Sequence, residues 1–313
     1  MPPIRFSLAY PPQNVGWSDY IDLVTAADRT RFDAFWTFDH LLTIGGDPDG
    51  QEHECYTTMA ALAQATQRIR IGALVSGVIY RNPALQIKMA TEMDVLSHGR
   101  FNFGIGAGWA EREFKAFNIP FPETKVRLGT LRETLELAKL LWSGDPRRKV
   151  SFEGKYVQAH DLFINPQPVQ PNGPPILVGG GGEQVTLRIA AHYADIWHGF
   201  GDLDTIKRKI GILDGYAPDY GRAGSDIAKS TNVTIWVGEL RDQDVARIVK
   251  ATGRPEAQVR GSIIHGVPAA IEARLRQYVD AGVTYFVVSA MAVGLNDIWE
   301  RVSEEIIPRF SGG

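Results

Sequence analysis

The residues with the clearest capacity for chemistry are Asp39 and His40, a carboxylate and an imidazole side by side at the end of the apolar run 34–38. That pairing suits proton transfer or the polarising of a reacting group. A helix cap or a loop hydrogen bond would use the same two residues. His198 follows an apolar run in a similar way, with a weaker case. His53, His98, His160, His192 and His265 read as surface or structural. Glu111 and Glu113, just after Trp109, could each serve as an acid, but their polar surroundings predict a solvated loop. Arg68, Arg70 and Arg127 read as ordinary surface charges. There is no C-x-x-C, no H-x-x-x-H and no G-x-S-x-G, so neither a metal site nor a serine nucleophile is expected.

Two glycine clusters complete the set. Gly104, Gly106 and Gly108 are spaced by single residues and capped by Trp109. A dinucleotide fingerprint needs G-x-G-x-x-G opening a helix. Here the sixth position is Trp109, and Pro120 and Pro122 precede the next clear helix. The better reading is a strand whose end forms one wall of a ligand site. Gly179-Gly180-Gly181-Gly182 joins a strand to a helix, where free N–H groups and the helix dipole favour a phosphate. A permissive turn is the alternative, though four glycines exceed what one turn needs.

These residues must be held by something, and the hydropathy pattern supplies it. Strands are expected at 4–9, 34–38, 69–75, 99–109, 175–178, 195–198, 231–237 and 285–289. Helices are expected between them, near 18–30, 57–66, 82–96, 131–142, 183–191, 203–215, 241–260 and 271–282, with a closing helix at 297–309. Strand and helix alternate about eight times, which predicts a parallel sheet closed as a (β/α)8 TIM barrel. The loop 41–54 and a β-hairpin at 149–165 read as insertions in one domain spanning 1–313. Barrel sites form at the carboxyl ends of the strands. The residues collected there are aromatic, small and glycine-rich, and suit a flat conjugated ligand better than hydrolysis.

The 313 residues are 44% hydrophobic and 22% charged, with a formal net charge of −3. This gives a nucleic-acid partner no electrostatic support. No run of about 18 apolar residues predicts a membrane span. The single cysteine, Cys55, excludes an intrachain disulfide. A cytoplasmic protein is the default expectation.

The motifs together resemble a known family, the bacterial luciferase-like flavin and deazaflavin oxidoreductases, and within it the F420-dependent branch. The resemblance rests on Phe38-Asp39-His40, residues 68–72, Tyr80-Arg81-Asn82-Pro83, residues 94–100, Gly104 to Trp109, residues 152–156, 166–170, 175–182 and 194–197. It covers about residues 4–200 in order, and residues 266–268 and 281–283 also fit. It implies coenzyme F420 as cofactor, with FMN the alternative. It implies a non-proline cis peptide in a bulge of the third strand, carried here to Ala73–Leu74 and placing Ser76 nearby. Asp39 would contact the cofactor and His40 would stand at its reacting face. Gly106, Ala107 and Gly108 would line the ribityl chain beside Trp109, and Gly179 to Gly182 would hold the phosphate. Trp109 stands where the sugar-phosphate dehydrogenase branch has a proton-handling glutamate, so the resemblance does not extend to that substrate.

Three functions follow as expectations. The first is hydride transfer between F420 and a small organic substrate, reducing an enone or imine or oxidising an alcohol. The second is an FMN-dependent monooxygenase served by a separate flavin reductase. The third is a cofactor-binding protein without catalysis. The family resemblance implies a homodimer.

Overall fold

A computed structural model describes residues 3–145, 147–290 and 298–310, with the side chain of residue 251 set aside. Eight parallel strands close on themselves: β1 (Arg5–Ala9), β2 (Ala34–Thr37), β3 (Arg70–Ala73), β5 (Phe101–Gly106), β8 (Ile176–Gly179), β9 (Ile196–Gly199), β10 (Ala228–Val237) and β12 (Tyr285–Ser289). Each pairs with the next in that order, and β12 pairs with β1. The (β/α)8 barrel expected from alternating patterns is therefore the fold. The inserted hairpin is present as antiparallel β6 (Val150–Glu153) and β7 (Gln158–Leu162).

The core has two layers. The larger lies between strands and helices and includes Phe6, Phe35, Phe101, Phe103 and Phe286. The smaller fills the barrel and is built on Trp36, Leu74, Leu177, Tyr285 and Val287. Trp36 is fully buried, and glycines make room for it. A Cβ on Gly72 would lie 2.5 Å from the Trp36 ring, and one on Gly104 would lie 1.9 Å from the Ala73 carbonyl oxygen. Gly104 thus serves the packing of the barrel, whereas the sequence pattern groups it with the ligand-facing glycines.

Several expectations change in detail. The cis peptide is Leu74–Val75, one bond later than carried over from the resemblance. The chain leaves β3 at Ala73 and resumes as the short β4 (Ser76–Gly77), which pairs with β5 at Ile105 and Gly106. The interrupted helical stretch 241–260 is two helices, α8 (Asp242–Thr252) and α9 (Glu256–Ser262). It leads to an unexpected strand, β11 (Ile263–Gly266), parallel to the far half of β10. A six-residue helix, α4 (Glu111–Ala116), stands where the pattern predicts a solvated turn. The closing helix at 297–309 is described from Ile298 onward, and residue 297 lies outside the described residues. Among the described residues, no helix is long and apolar enough to cross a membrane.

Arg70 is not an ordinary surface charge. It is largely buried and donates to Asn102, Gln170 and the Phe101 carbonyl. Arg68 donates to the Asp28 and Phe32 carbonyls, and Arg127 lies over the Phe121 ring.

Because backbone rather than a flexible side chain meets a Cβ at residue 104, Gly104→Ala should destabilise the protein by about 1–3 kcal/mol or prevent folding. The urea midpoint measures this, and an unchanged midpoint would contradict the packing described.

Candidate active site

At the carboxyl end of the barrel lies a cleft of about 240 Å³, lined by Asp39, His40, Leu74, Val75, Gly77, Tyr80, Gly106, Ala107, Gly108, Trp109, Gly179, Gly180, Thr186 and Phe200. Five of its fourteen lining residues are glycines, and two of them take the packing of Val75. A Cβ on Gly106 would lie 2.9 Å from Val75 and 3.2 Å from the Gly179 carbonyl, and one on Gly179 would lie 2.8 Å from Val75. Gly108 (φ +78°) and Gly180 (φ +134°) adopt backbone angles that side chains disfavour. Trp109 and Phe200 are exposed at the rim. A larger groove of about 890 Å³ opens where β9 ends and β11 begins, and it meets the cleft at Phe200.

His40 is held by a residue the sequence reading left in solvent. Its Nδ1 lies 2.7 Å from Glu113 Oε1, and Glu113 is 1% exposed. The other Glu113 oxygen accepts from the Leu41 amide at 3.0 Å and from the Tyr80 hydroxyl at 2.7 Å. Burial pushes the Glu113 carboxyl upward. The hydrogen bonds from His40, Leu41 and Tyr80 and the charge of His40 outweigh that, leaving it below the usual carboxylate range. With Nδ1 engaged, Nε2 is the ring nitrogen left for a ligand. Trp109 meets the His40 ring edge-on, with centroids 5.6 Å apart.

Short as it is, α4 is well anchored. Phe114 is fully buried and stacks on Tyr80 at 4.6 Å, with Phe121 behind it. Phe114 therefore turns its neighbour Glu113 inward. The one sequence signal for this was the apolar Phe114 amid charged residues.

Asp39 is held from behind. Its side chain is fully buried and takes both arms of Arg81, at 2.7 and 3.1 Å. Ser76 also donates to it, and Gln86 donates to Ser76 at 2.7 Å. Arg81 reaches Glu54 at 2.5 Å and lies over the Tyr56 ring. Burial lowers the Arg81 pKa, but the charge and hydrogen bonds of Asp39 reverse this, so the guanidinium is held firmly charged. Burial and the bond to Glu113 push the Tyr80 hydroxyl well up, so it stays a donor.

The other expected site residues divide. Leu74, Gly106, Ala107, Gly108, Trp109, Gly179 and Gly180 line the cleft with Asp39 and His40. Ala73 is packed in the core, and Ser76 stands behind Asp39. Gly181 and Gly182 lie beyond the cleft. A Cβ on Gly181 would lie 2.3 Å from Lys209 Nζ, so the ammonium of α7 (Leu203–Tyr216) covers this glycine. The helix after the tetraglycine, α6 (Thr186–Tyr193), has no side-chain cap at its N-terminus. His198 is fully buried, bonds Ser230 at 2.8 Å, and is held neutral by burial with its pKa pushed down to about 3. It is part of the barrel wall, not of the cleft.

The sequence profile of luciferase-like monooxygenases matches residues 3–253. The chain belongs to that family. Among its relatives, an F420-dependent glucose-6-phosphate dehydrogenase of Amycolatopsis mediterranei is 32% identical over 174 residues, 55% of this chain and 50% of that protein. A protein of the same name from Intrasporangium calvum is 26% identical over 96% of this chain and 97% of its own length. The chain therefore spans about half the length of the first of these and nearly all of the second. An F420-dependent secondary alcohol dehydrogenase, solved with an F420–acetone adduct, shares the fold with a TM-score of 0.84 at 18% identity, covering 97% and 98% of the two chains.

Arg81→Met would strand the buried Asp39 carboxylate without its ion pair and should cost about 3–5 kcal/mol. Arg81→Lys, which keeps the charge but not the two-armed fork, should fall between the variant and the wild type. Urea unfolding measures both. Equal stability of all three proteins would remove the Asp39–Arg81 pair from this account.

Proposed function

We propose that this protein is an F420-dependent oxidoreductase that moves a hydride between the deazaflavin C5 and a small organic substrate. The observation that carries this is the juxtaposition of a glycine-rich cleft at the barrel's carboxyl end with an imidazole oriented by a buried carboxylate. The names of the relatives agree with it. When bound, the deazaflavin supplies a two-electron hydride donor and acceptor. The protein's own contribution is positioning and the proton.

The residues fit such a group. Gly106, Gly108, Gly179 and Gly180 line the cleft together with Leu74 and Val75, and a flat ring and its chain would lie along this wall. The uncapped start of α6 and the ammonium of Lys209 would hold a phosphate. His40 would hold or accept a proton at Nε2, with Glu113 fixing its ring and Tyr80 fixing Glu113. Trp109 would cover the reacting face and exclude water. Asp39, fully engaged by Arg81 and Ser76, would orient the strand end that carries His40, besides touching the ligand at the cleft wall.

A monooxygenase using FMN would share this cleft, and oxygen separates the two readings. Reduced F420 should be reoxidised by a panel of enones, imines and ketones equally fast under nitrogen and in air, with deuterium from C5 found in the product. His40→Ala should slow this about 10²–10⁴-fold. Turnover that consumes oxygen with reduced FMN and fails with F420 would overturn the proposal.

Lys209→Met should weaken F420 about tenfold while leaving affinity for the phosphate-free deazaflavin riboside unchanged, as measured by fluorescence quenching. Equal losses for both ligands would place Lys209 outside the phosphate site.

A further inference from the structure

Among the described residues, one acidic side chain near the cleft has no hydrogen-bond partner. Glu52 lies on the loop before α2 (Cys55–Ala65) and forms a single antiparallel bridge with Gln13. Both of its carboxyl oxygens are buried, and neither takes a hydrogen bond from any of the described residues. An ionised carboxylate buried without a donor is strongly disfavoured.

Every element around Glu52 adds to this. From the end of β2 and from α4 it faces the carboxylates of Asp39 and Glu113. From α1 (Trp17–Ala27) it faces the hydroxyl of Tyr20, which donates to the Tyr10 carbonyl and to Thr37. From the start of α2 it faces the buried thiol of Cys55. Gln13 spends its amide on Gly45 and Ile44. Nearby donors are committed elsewhere: the Arg81 guanidinium to Asp39 and Glu54, and His40 Nδ1 to Glu113.

We propose that Glu52 is a carboxylic acid, not a carboxylate, in the working protein, and that it is a positioning residue acting through Asp39 and Glu113. While it keeps its proton, Asp39 is balanced by Arg81, and Glu113 is held by hydrogen bonds from His40, Leu41 and Tyr80. When it loses the proton, a further buried negative charge repels Glu113 and Asp39. That charge also opposes a phosphate-bearing ligand. Burial first, then the charges of Glu113 and Asp39, push its pKa up to about 8, so the change falls on the alkaline side of neutrality.

The direct test needs no ligand. Protein labelled with ¹³C at the glutamate side-chain carboxyls should show one resonance titrating near pH 8, absent from Glu52→Gln. In Glu113→Gln, which removes one of the repelling charges, the same resonance should titrate at lower pH. This second variant reports even if Glu52→Gln does not fold. Titration of every glutamate in the ordinary range near about pH 4 would overturn the proposal. So would a high-pH resonance that survives in Glu52→Gln, or one that Glu113→Gln leaves in place.

A second arm rests on the F420 reading. F420 affinity, followed by fluorescence quenching, should fall above pH 8 by up to about tenfold per pH unit in the wild type, and this fall should be absent in Glu52→Gln. An equal fall in both proteins overturns the positioning role. If F420 fails to bind at any pH, the cofactor reading fails, while the carboxyl titration still decides the state of Glu52.

Discussion

The site depends on one buried guanidinium. Arg81 is the cation that allows Asp39 to sit fully buried at the end of β2, and it ties the same point to Glu54 at the cap of α2. Glu54 in turn accepts from the Thr57 amide and starts that helix. A carboxylate taken out of water needs such a partner and its hydrogen bonds. Ser76 and Gln86 supply the remaining contacts from β4 and α3 (Pro83–Leu96). The residue after Asp39 is His40, so the position of the imidazole is set by an ion pair it does not itself join. Glu113 then fixes its rotation from the opposite side, and the two sets of contacts leave one nitrogen facing the cleft.

The glycines make the complementary arrangement. At the same end of the barrel Gly106, Gly108, Gly179 and Gly180 line the cleft, and Val75, Ile79 and Thr186 pack against them where side chains would otherwise stand. The site is therefore asymmetric: one wall is dense with charge and hydrogen bonds, and the other is small and apolar. That division suits a planar cofactor whose chemistry is its own, beside a protein group that handles the proton. Deeper in the barrel the same residue type has a different purpose, since Gly72 leaves room for the Trp36 ring and Gly104 for the Ala73 carbonyl.

Much of this was legible in the sequence because barrel strands are buried on both faces and stand out as apolar runs between helical periods. The eight strands carried that signal, and their ends pointed to Asp39, His40 and the glycine clusters, whereas Val75, Gly77, Tyr80, Thr186 and Phe200 of the cleft lining did not stand out. Neither did Glu113. It sits on a six-residue helix among charged neighbours, and only burial of Phe114 against Tyr80 turns it inward. Arg81 and Lys209 were equally silent, since a cation's partner depends on which loops the barrel brings together. Strand β11 is a short apolar run joined directly to α9, and pairs with β10 only beyond the point where β9 ends. Glu52 is an acidic residue in a polar loop, and nothing local marks it as buried.

The central claim is that this cleft takes a deazaflavin, and the most direct measurement is a parallel titration of the purified protein with oxidised F420 and with FMN, read by quenching of cofactor fluorescence. The account predicts F420 binding with a Kd of about 10 μM or tighter and FMN at least about tenfold weaker, a difference of roughly 1.4 kcal/mol. Tighter binding of FMN would contradict it and move the protein to the flavin-dependent, oxygen-using side of its family.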